Sequence, residues 1–295
     1  MGAMDTRSKP ASPVVYARQR VVISGVKPEI AQGRYPIKRA RGEQVQVEAD
    51  IFADSHDALS VRLLVRGPKA AAWSALPMQS LVNDRWAGDF GVDRLGRYRY
   101  TLQAWVDRFK TWRRDLHKKV ADGQDVTVDL LVGAKLVQDA AERAGGQDAD
   151  RLHEFEELLR GDGVTDARVR SALGSGLLRL MLQHPDRRFA TVYEKQLIVV
   201  VERRRARFST WYEMFPRSAA AQPGQHGTFK ECRKRLPGIA AMGFDVLYLP
   251  PIHPIGRTHR KGKNNATLTE PDDVGSPWAI GSAEGGHKSI HPRLG

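Results

Sequence analysis

Residues 96–107 read GRYRYTLQAWVD. Successive side chains of an extended strand point to opposite sides, so Tyr98, Tyr100, Leu102 and Ala104 share one face while Arg97, Arg99, Thr101 and Gln103 share the other. The first face predicts a core and the second a water-facing surface. The same texture runs towards the N-terminus through RWAGDF at 85–90, LSVRLLVRG at 59–67, QVQVEADIF at 44–52 and VVISGV at 21–26, with Gly, Pro, Asp and Ser between the runs. Several short alternating strands of this kind predict a β-sandwich. The polar residues 1–18, containing Pro and Ser, predict a flexible lead-in.

Towards the C-terminus the period changes. From about Trp112 the apolar residues recur at three and four, through VDLLVGAKLVQDAAERA at 128–144, DADRLHEFEELLRG at 148–161 and TDARVRSALGSGLLRLMLQ at 165–183. Asp148 or Asp150 is the expected cap of the second of these helices, and Thr165 that of the third. Their apolar stripes fit packing on neighbouring helices or on the sandwich, or a subunit interface. Strand texture returns at QLIVVVE, residues 196–202, as if a helical insertion interrupts the sandwich and this strand completes it.

After Phe208 comes a strand (STWYEMF, 209–215), a Gly- and Pro-containing loop, an amphipathic helix (TFKECRKRLPGIAAMG, 228–243) and a second strand (FDVLYLPPI, 244–252). Strand, helix and strand in that order predict a parallel βαβ unit with a right-handed crossover. The long polar loop that follows lies where a (β/α)8 TIM barrel keeps its binding groups, and a barrel needs roughly 250 residues, so the expectation is a truncated barrel domain. The fold class is therefore multidomain. A flexible N-terminus at 1–18 precedes an N-terminal β-sandwich domain at 19–118 and 189–207, a helical insertion and candidate dimer interface at 119–188, and the start of a (β/α)8 catalytic domain at 208–295.

Composition narrows the function. The 295 residues carry 47 Lys+Arg against 34 Asp+Glu, a net charge of +13. The basic residues scatter through 34–41, 108–119, 187–188 and 203–207 without interleaved aromatics, which fits solvated surface or attraction for phosphorylated ligands and argues against a nucleic-acid module. No apolar run approaches the roughly 20 residues of a membrane span, and residues 1–13 carry no apolar signal segment, so the expectations are no membrane partner and a cytoplasmic location. Cys232 is the single cysteine, which excludes an internal disulfide or a cysteine-built zinc site. His253, His259, His287 and His291 match no compact ligand spacing, so neither a metal nor a cofactor is expected.

The chemistry-bearing stretch is 257–287. Lys261, Lys263, Asn264 and Asn265 can donate to sugar hydroxyls or to phosphate, asparagine also accepts, and the indole of Trp278 can cover the apolar face of a sugar. A solvated loop of the same composition is the plain alternative. His253 reads as a structural hydrogen-bonding group rather than a base, because no carboxylate or nucleophile sits at a telling distance in the sequence.

WYEMFPRS at 211–218, GFDVLYLPPIHPIG at 243–256, RKGKNNA at 260–266 and GSPWAIGSAEGGH at 275–287, in this order and spacing, resemble the maltosyltransferases of the α-amylase superfamily that take α-maltose-1-phosphate as donor and extend α-1,4-glucans. The resemblance also covers the earlier chain, since that family carries a β-sandwich interrupted by a helical segment used in dimerisation. It implies a homodimer and a retaining double displacement by an aspartate nucleophile and a glutamate acid/base, carboxyl groups roughly 5 Å apart. Both are expected beyond Gly295, so no catalytic residue is assigned in this chain, and the fragment itself is expected to be inactive. Lys261 best matches the donor-sugar contact, with Lys263, Asn264 and Asn265 beside it, and Tyr212 and His253 are expected on the pocket floor. Two other readings stay open: another α-glucan hydrolase or branching enzyme, and a non-catalytic carbohydrate-binding module displaying a row of exposed tryptophans.

Overall fold

The computed structural model describes residues 18–295, so the expected lead-in lies outside the described residues apart from Arg18. The chain forms two compact units, Met1–Glu202 and Arg203–Gly295. The fold is mixed and sheet-rich with helices.

In the first unit, β1 (Val21–Lys27), β3 (Glu43–Ala53), β7 (Arg85–Val92) and β6 (Gln79–Ser80) form one sheet in that order. A second sheet runs β2 (Ile37–Ala40), β10 (Leu197–Glu202), β8 (Gly96–Val106), β4 (Leu59–Arg66) and β5 (Ser74–Pro77), with β9 (Thr191–Val192) also paired to β8. One continuous core joins their inner faces: Val45, Val47 and Ile51 from one sheet meet Leu63, Tyr100, Leu102 and Val199 from the other. Each fully buried aliphatic side chain here contributes roughly 1.5–3 kcal/mol. β10 pairs antiparallel with β8 and parallel with β2, so the strand read at 196–202 is inserted between elements far earlier in the chain. The short strands β2, β5, β6 and β9 escape the sequence reading because four residues or fewer do not establish a period.

The face of β8 opposite the core departs from the water-facing expectation. Arg97 and Arg99 are exposed, but Thr101 and Trp105 are only 5% exposed. Thr101 donates its hydroxyl to the Tyr193 carbonyl, and the Arg62 guanidinium lies 5.3 Å from the Trp105 ring centroid. Alternation tells which residues share a face, and tertiary packing decides whether that face is covered.

Five helices make a second core: α1 (Arg108–Ala121), α2 (Thr127–Ala141), α3 (Gln147–Arg160), α4 (Thr165–Ala172) and α5 (Ser175–Gln183). Phe109, Trp112, Leu116, Leu130, Leu152 and Leu177 are buried in it. The helical segment therefore starts at Arg108 rather than at residue 119. Asp107 caps α1 by accepting from the Lys110 amide at 3.0 Å, and its other oxygen accepts from the Ser60 hydroxyl at 2.7 Å, fastening the helix start to β4. The expected caps differ as well. Gly146, at φ 55°, stands at the N-cap of α3, leaving Asp148 and Asp150 in the first turn, where Asp148 binds the His184 imidazole at 2.9 Å. Val164 takes the N-cap of α4, so Thr165 is already helical. The stretch 165–183 is two helices rather than one, because the chain turns extended at Gly174.

In the second unit β11 (Trp211–Glu213) and β12 (Val246–Tyr248) pair in parallel, with Tyr212 opposite Leu247. Between them runs α6 (Phe229–Ala241). Thr228 starts α6 with a reciprocal capping box to Glu231, which satisfies two amide donors that the helix leaves open. Cys232 on this helix is buried, with its thiol aimed at the Pro216 carbonyl, and burial pushes the thiol up.

Candidate functional site

The chain leaving β12 enters LPPIHPIG and then, to its end, forms no further helix or strand beyond 3-10 turns at Lys263–Asn265 and Pro292–Leu294. It is nevertheless a fixed loop. Gly256 donates to Ala279, Gly281 to Pro254 and His291 to Ile252 through backbone hydrogen bonds of 2.8–3.1 Å, folding the later loop back onto the first residues after the strand.

Arg260 holds this fold together. Its guanidinium donates to the carbonyls of Ile255 at 3.1 Å, Gly256 at 3.2 Å and Asp273 at 3.0 Å. A planar fork with fixed donor directions suits three carbonyls in a way a lysine ammonium does not. Asp273 is 6% exposed, and one of its oxygens accepts from the Glu270 amide at 2.8 Å. Gly262 lies so close to the returning chain that a Cβ there would meet the Leu268 carbonyl oxygen at 2.2 Å. Side chains are excluded at that point, and the loop can close only over a glycine.

On this frame sit the four residues singled out from sequence. Lys263, Asn264 and Asn265 occupy one 3-10 turn, closed by Ala266 donating to Lys263 and Gly262 donating to Ala266, and Lys261 lies just before it. Asn264 and Asn265 take positive φ values of 54° and 63°, a region asparagine enters more readily than most residues. All four are exposed, and among the described residues none of their side chains has a hydrogen-bond or ion-pair partner. Their donors and acceptors are thus free, while the backbone that carries them is fixed. Trp278 is 56% exposed, its ring edge-on to Phe215 at 6.0 Å.

The two residues expected on a pocket floor separate. Tyr212 packs edge-to-face against Phe244 at 5.2 Å, whereas His253 is buried with Nδ1 3.1 Å from the Pro254 carbonyl oxygen. His253 lines a cleft with Phe215, Arg217, His226, Pro251 and His291. At about 30 Å³ this cleft holds about one or two water molecules and no sugar ring. The cleft's groups were missed in sequence because Arg217, His226 and His291 come from separate segments. The His226 and His291 rings stack at 5.2 Å, and the His291 imidazole accepts from the Arg293 amide at 3.2 Å. Burial first, and then the neighbouring His226, hold His291 below the ordinary histidine value. Burial likewise lowers Arg217, whose guanidinium lies 5.6 Å from the Phe215 ring centroid.

Asp245 is engaged structurally: it accepts from the Thr210 amide at 3.2 Å and pairs with Arg205 at 3.1 Å. Among the described residues no group of three or more His, Cys, Asp or Glu is placed to hold a metal ion, and no helix is long and apolar enough to cross a membrane. The row of exposed tryptophans that a binding module requires is absent among the described residues of the first unit. Trp105 and Trp112 are buried, Trp86 donates to the Ile51 carbonyl at 3.1 Å, and Trp73 lies under the Arg66 guanidinium.

Residues 19–203 match the family described as alpha-1,4-glucan:maltose-1-phosphate maltosyltransferase, domain N/S. Proteins so named are similar along nearly the whole chain. That of Chlorobaculum tepidum is 54% identical over 278 residues, covering 94% of this chain and 41% of the relative. That of Myxococcus xanthus is 48% identical over 283 residues, covering 93% and 42%, and that of Methylacidiphilum infernorum is 44% identical over 282 residues, covering 95% and 42%. The chain thus spans about two fifths of the length of these relatives and corresponds to their N-terminal part. The matched residues run through both units, and on this similarity the chain belongs to the α-1,4-glucan:maltose-1-phosphate maltosyltransferase family.

Proposed function

We propose that the protein to which this chain contributes transfers maltosyl units from α-maltose-1-phosphate to the non-reducing end of α-1,4-glucans with release of phosphate, and that residues 208–295 begin its (β/α)8 catalytic barrel. The observation that carries this reading is the loop after β12: Lys261, Lys263, Asn264 and Asn265 offer unpartnered polar groups from a backbone held by Arg260, at the C-terminal end of a strand paired in parallel across α6. Ligands of parallel α/β architectures bind at that end of the strands. The names of the relatives supply the substrates.

In the proposed reaction a carboxylate attacks the anomeric carbon while a carboxylic acid gives its proton to the departing phosphate, leaving a maltosyl ester. The same group, now a carboxylate, takes the proton of the glucan 4-hydroxyl as that oxygen displaces the ester. Neither role is assigned to a residue of this chain. Lys261, with Lys263, Asn264 and Asn265 beside it, contributes hydrogen bonds to the donor, fixing its position relative to those groups. No cofactor enters. A homodimer formed through the helical segment is part of the proposal, supported by Val128, Leu131 and Val132, which expose an apolar stripe along α2. A cytoplasmic location completes it.

The test is phosphate release from α-maltose-1-phosphate by the native gene product with a malto-oligosaccharide acceptor. Phosphate appearing together with acceptors two glucose units longer is expected. Free maltose without lengthening identifies a hydrolase, and no phosphate release overturns the donor.

A further inference from the structure

The basic run at 108–119 plays no part in the proposed transfer, yet the structure gathers it. On α1, Lys110, Arg113, Arg114, His117 and Lys118 recur at three- and four-residue spacing and line one wall of a groove of about 560 Å³ in the first unit. Leu173 and Leu178, at the junction of α4 and α5, supply an apolar floor. No carboxylate lines the groove. Arg114 is paired with Asp115 at 2.9 Å, but among the described residues Lys110, Arg113, His117 and Lys118 have no ion-pair partner. Arg113 is held in place by donating to the Leu173 carbonyl, and its Nε is buried without an acceptor. On the opposite side of the helix Lys119 is neutralised by Asp129 at 2.7 Å.

We propose that this groove is a binding site for a small polyphosphorylated ligand, its phosphoryl groups on Lys110, Arg113, His117 and Lys118 and its less polar part against Leu173 and Leu178. Several like charges brought together without counter-charges repel one another, and a polyanion removes that repulsion while forming charge-assisted hydrogen bonds. The groove's size is that of small-molecule sites.

Calorimetric titration of the 295-residue chain with inorganic tripolyphosphate, at about 0.1 M salt to suppress diffuse attraction, tests the site. Saturable one-to-one binding is expected, tighter than for orthophosphate. It should weaken at least about tenfold in a Lys110→Gln, His117→Gln, Lys118→Gln variant. A Lys38→Gln, Arg97→Gln, Arg99→Gln variant, which alters exposed basic residues on the strands instead, should bind as the parent does. Unsaturable binding, or equal weakening in both variants, overturns the proposal by reducing it to net charge. Tighter binding per phosphate to a single-stranded oligonucleotide than to tripolyphosphate also overturns it, in favour of an extended anion surface. Should the groove variant not fold, protection of Lys110 and Lys118 from amine acylation by tripolyphosphate in the unaltered chain decides: protection supports the site and equal labelling overturns it.

Discussion

The indole of Trp112 occupies the space that a side chain on Gly133 would need: a Cβ at position 133 would stand 2.1 Å from the Trp112 ring. The same indole donates from Nε1 to the Asp129 carbonyl at 2.7 Å, so α1 and α2 are joined by a contact and a hydrogen bond at once. Gly133→Ala is therefore expected to destabilise the helical segment by about 1–3 kcal/mol through overpacking, despite alanine's better helix propensity. Chemical denaturation followed by tryptophan fluorescence measures it, and a neutral or stabilising outcome contradicts the packing.

Asp107 belongs to both the sheet and the helices, through Lys110 and Ser60. Asp107→Ala removes a cap and leaves the Ser60 hydroxyl, on a residue 6% exposed, without its acceptor. A loss of about 2–3 kcal/mol is expected from the two effects together. Asp107→Asn, which keeps an acceptor, should recover more than half of it. Thermal unfolding of the three proteins side by side gives the comparison.

Under the proposed transfer, the loop's brace and its presented groups in the second unit should separate by kinetics. Lys261→Ala is expected to raise KM for α-maltose-1-phosphate about tenfold or more while leaving thermal stability unchanged, because the proposed charge-assisted hydrogen bond to the donor would be lost and no internal partner orphaned. Arg260→Lys should lower both kcat and stability, since one ammonium cannot serve three carbonyls placed for a guanidinium. A stability loss in Lys261→Ala, or none in Arg260→Lys, reverses the assignment.

His291 makes the second unit sensitive to acid. Its folded value lies below the ordinary 6.5, so the unfolded chain takes the proton first and gains stability as pH falls through about 6.5. The folded state is at full strength above that pH and weakens below it. Protonation also removes the acceptor for the Arg293 amide and places a charge against His226 and near Arg217, with Glu284 the one opposing group. Unfolding midpoints from pH 7.5 to 5 should fall, and His291→Gln should flatten that slope; an unchanged slope excludes His291 as its source.

Much of the architecture is legible in the residues because the signals are local. Alternation in 96–104 identifies Tyr98, Tyr100, Leu102 and Ala104 as a core face, and all four are buried. Three- and four-residue spacing finds the helices, and strand, helix and strand after Phe208 anticipate the parallel pairing of Trp211–Glu213 with Val246–Tyr248. The family too was readable, because RKGKNNA and GSPWAIGSAEGGH are contiguous strings. Caps were less legible: a side chain able to cap is necessary but not sufficient, and Gly146 and Val164 hold the positions assigned to Asp148, Asp150 and Thr165.

What only the tertiary structure decided are relations between distant residues. The insertion of β10 between β2 and β8, the cover over Thr101 and Trp105, the stack of His226 on His291 and the three carbonyls gathered by Arg260 each join segments whose separate sequences carry no mark of the meeting. A strand or helix is specified by the period of its own side chains, whereas a buried contact is specified by the free energy of closing a chain loop around it, which no local pattern records. The sequence by itself therefore determined the longer elements, the family and the polar residues on offer, and the fold determined which of those residues are fixed, which are free and which are spent in holding the others in place.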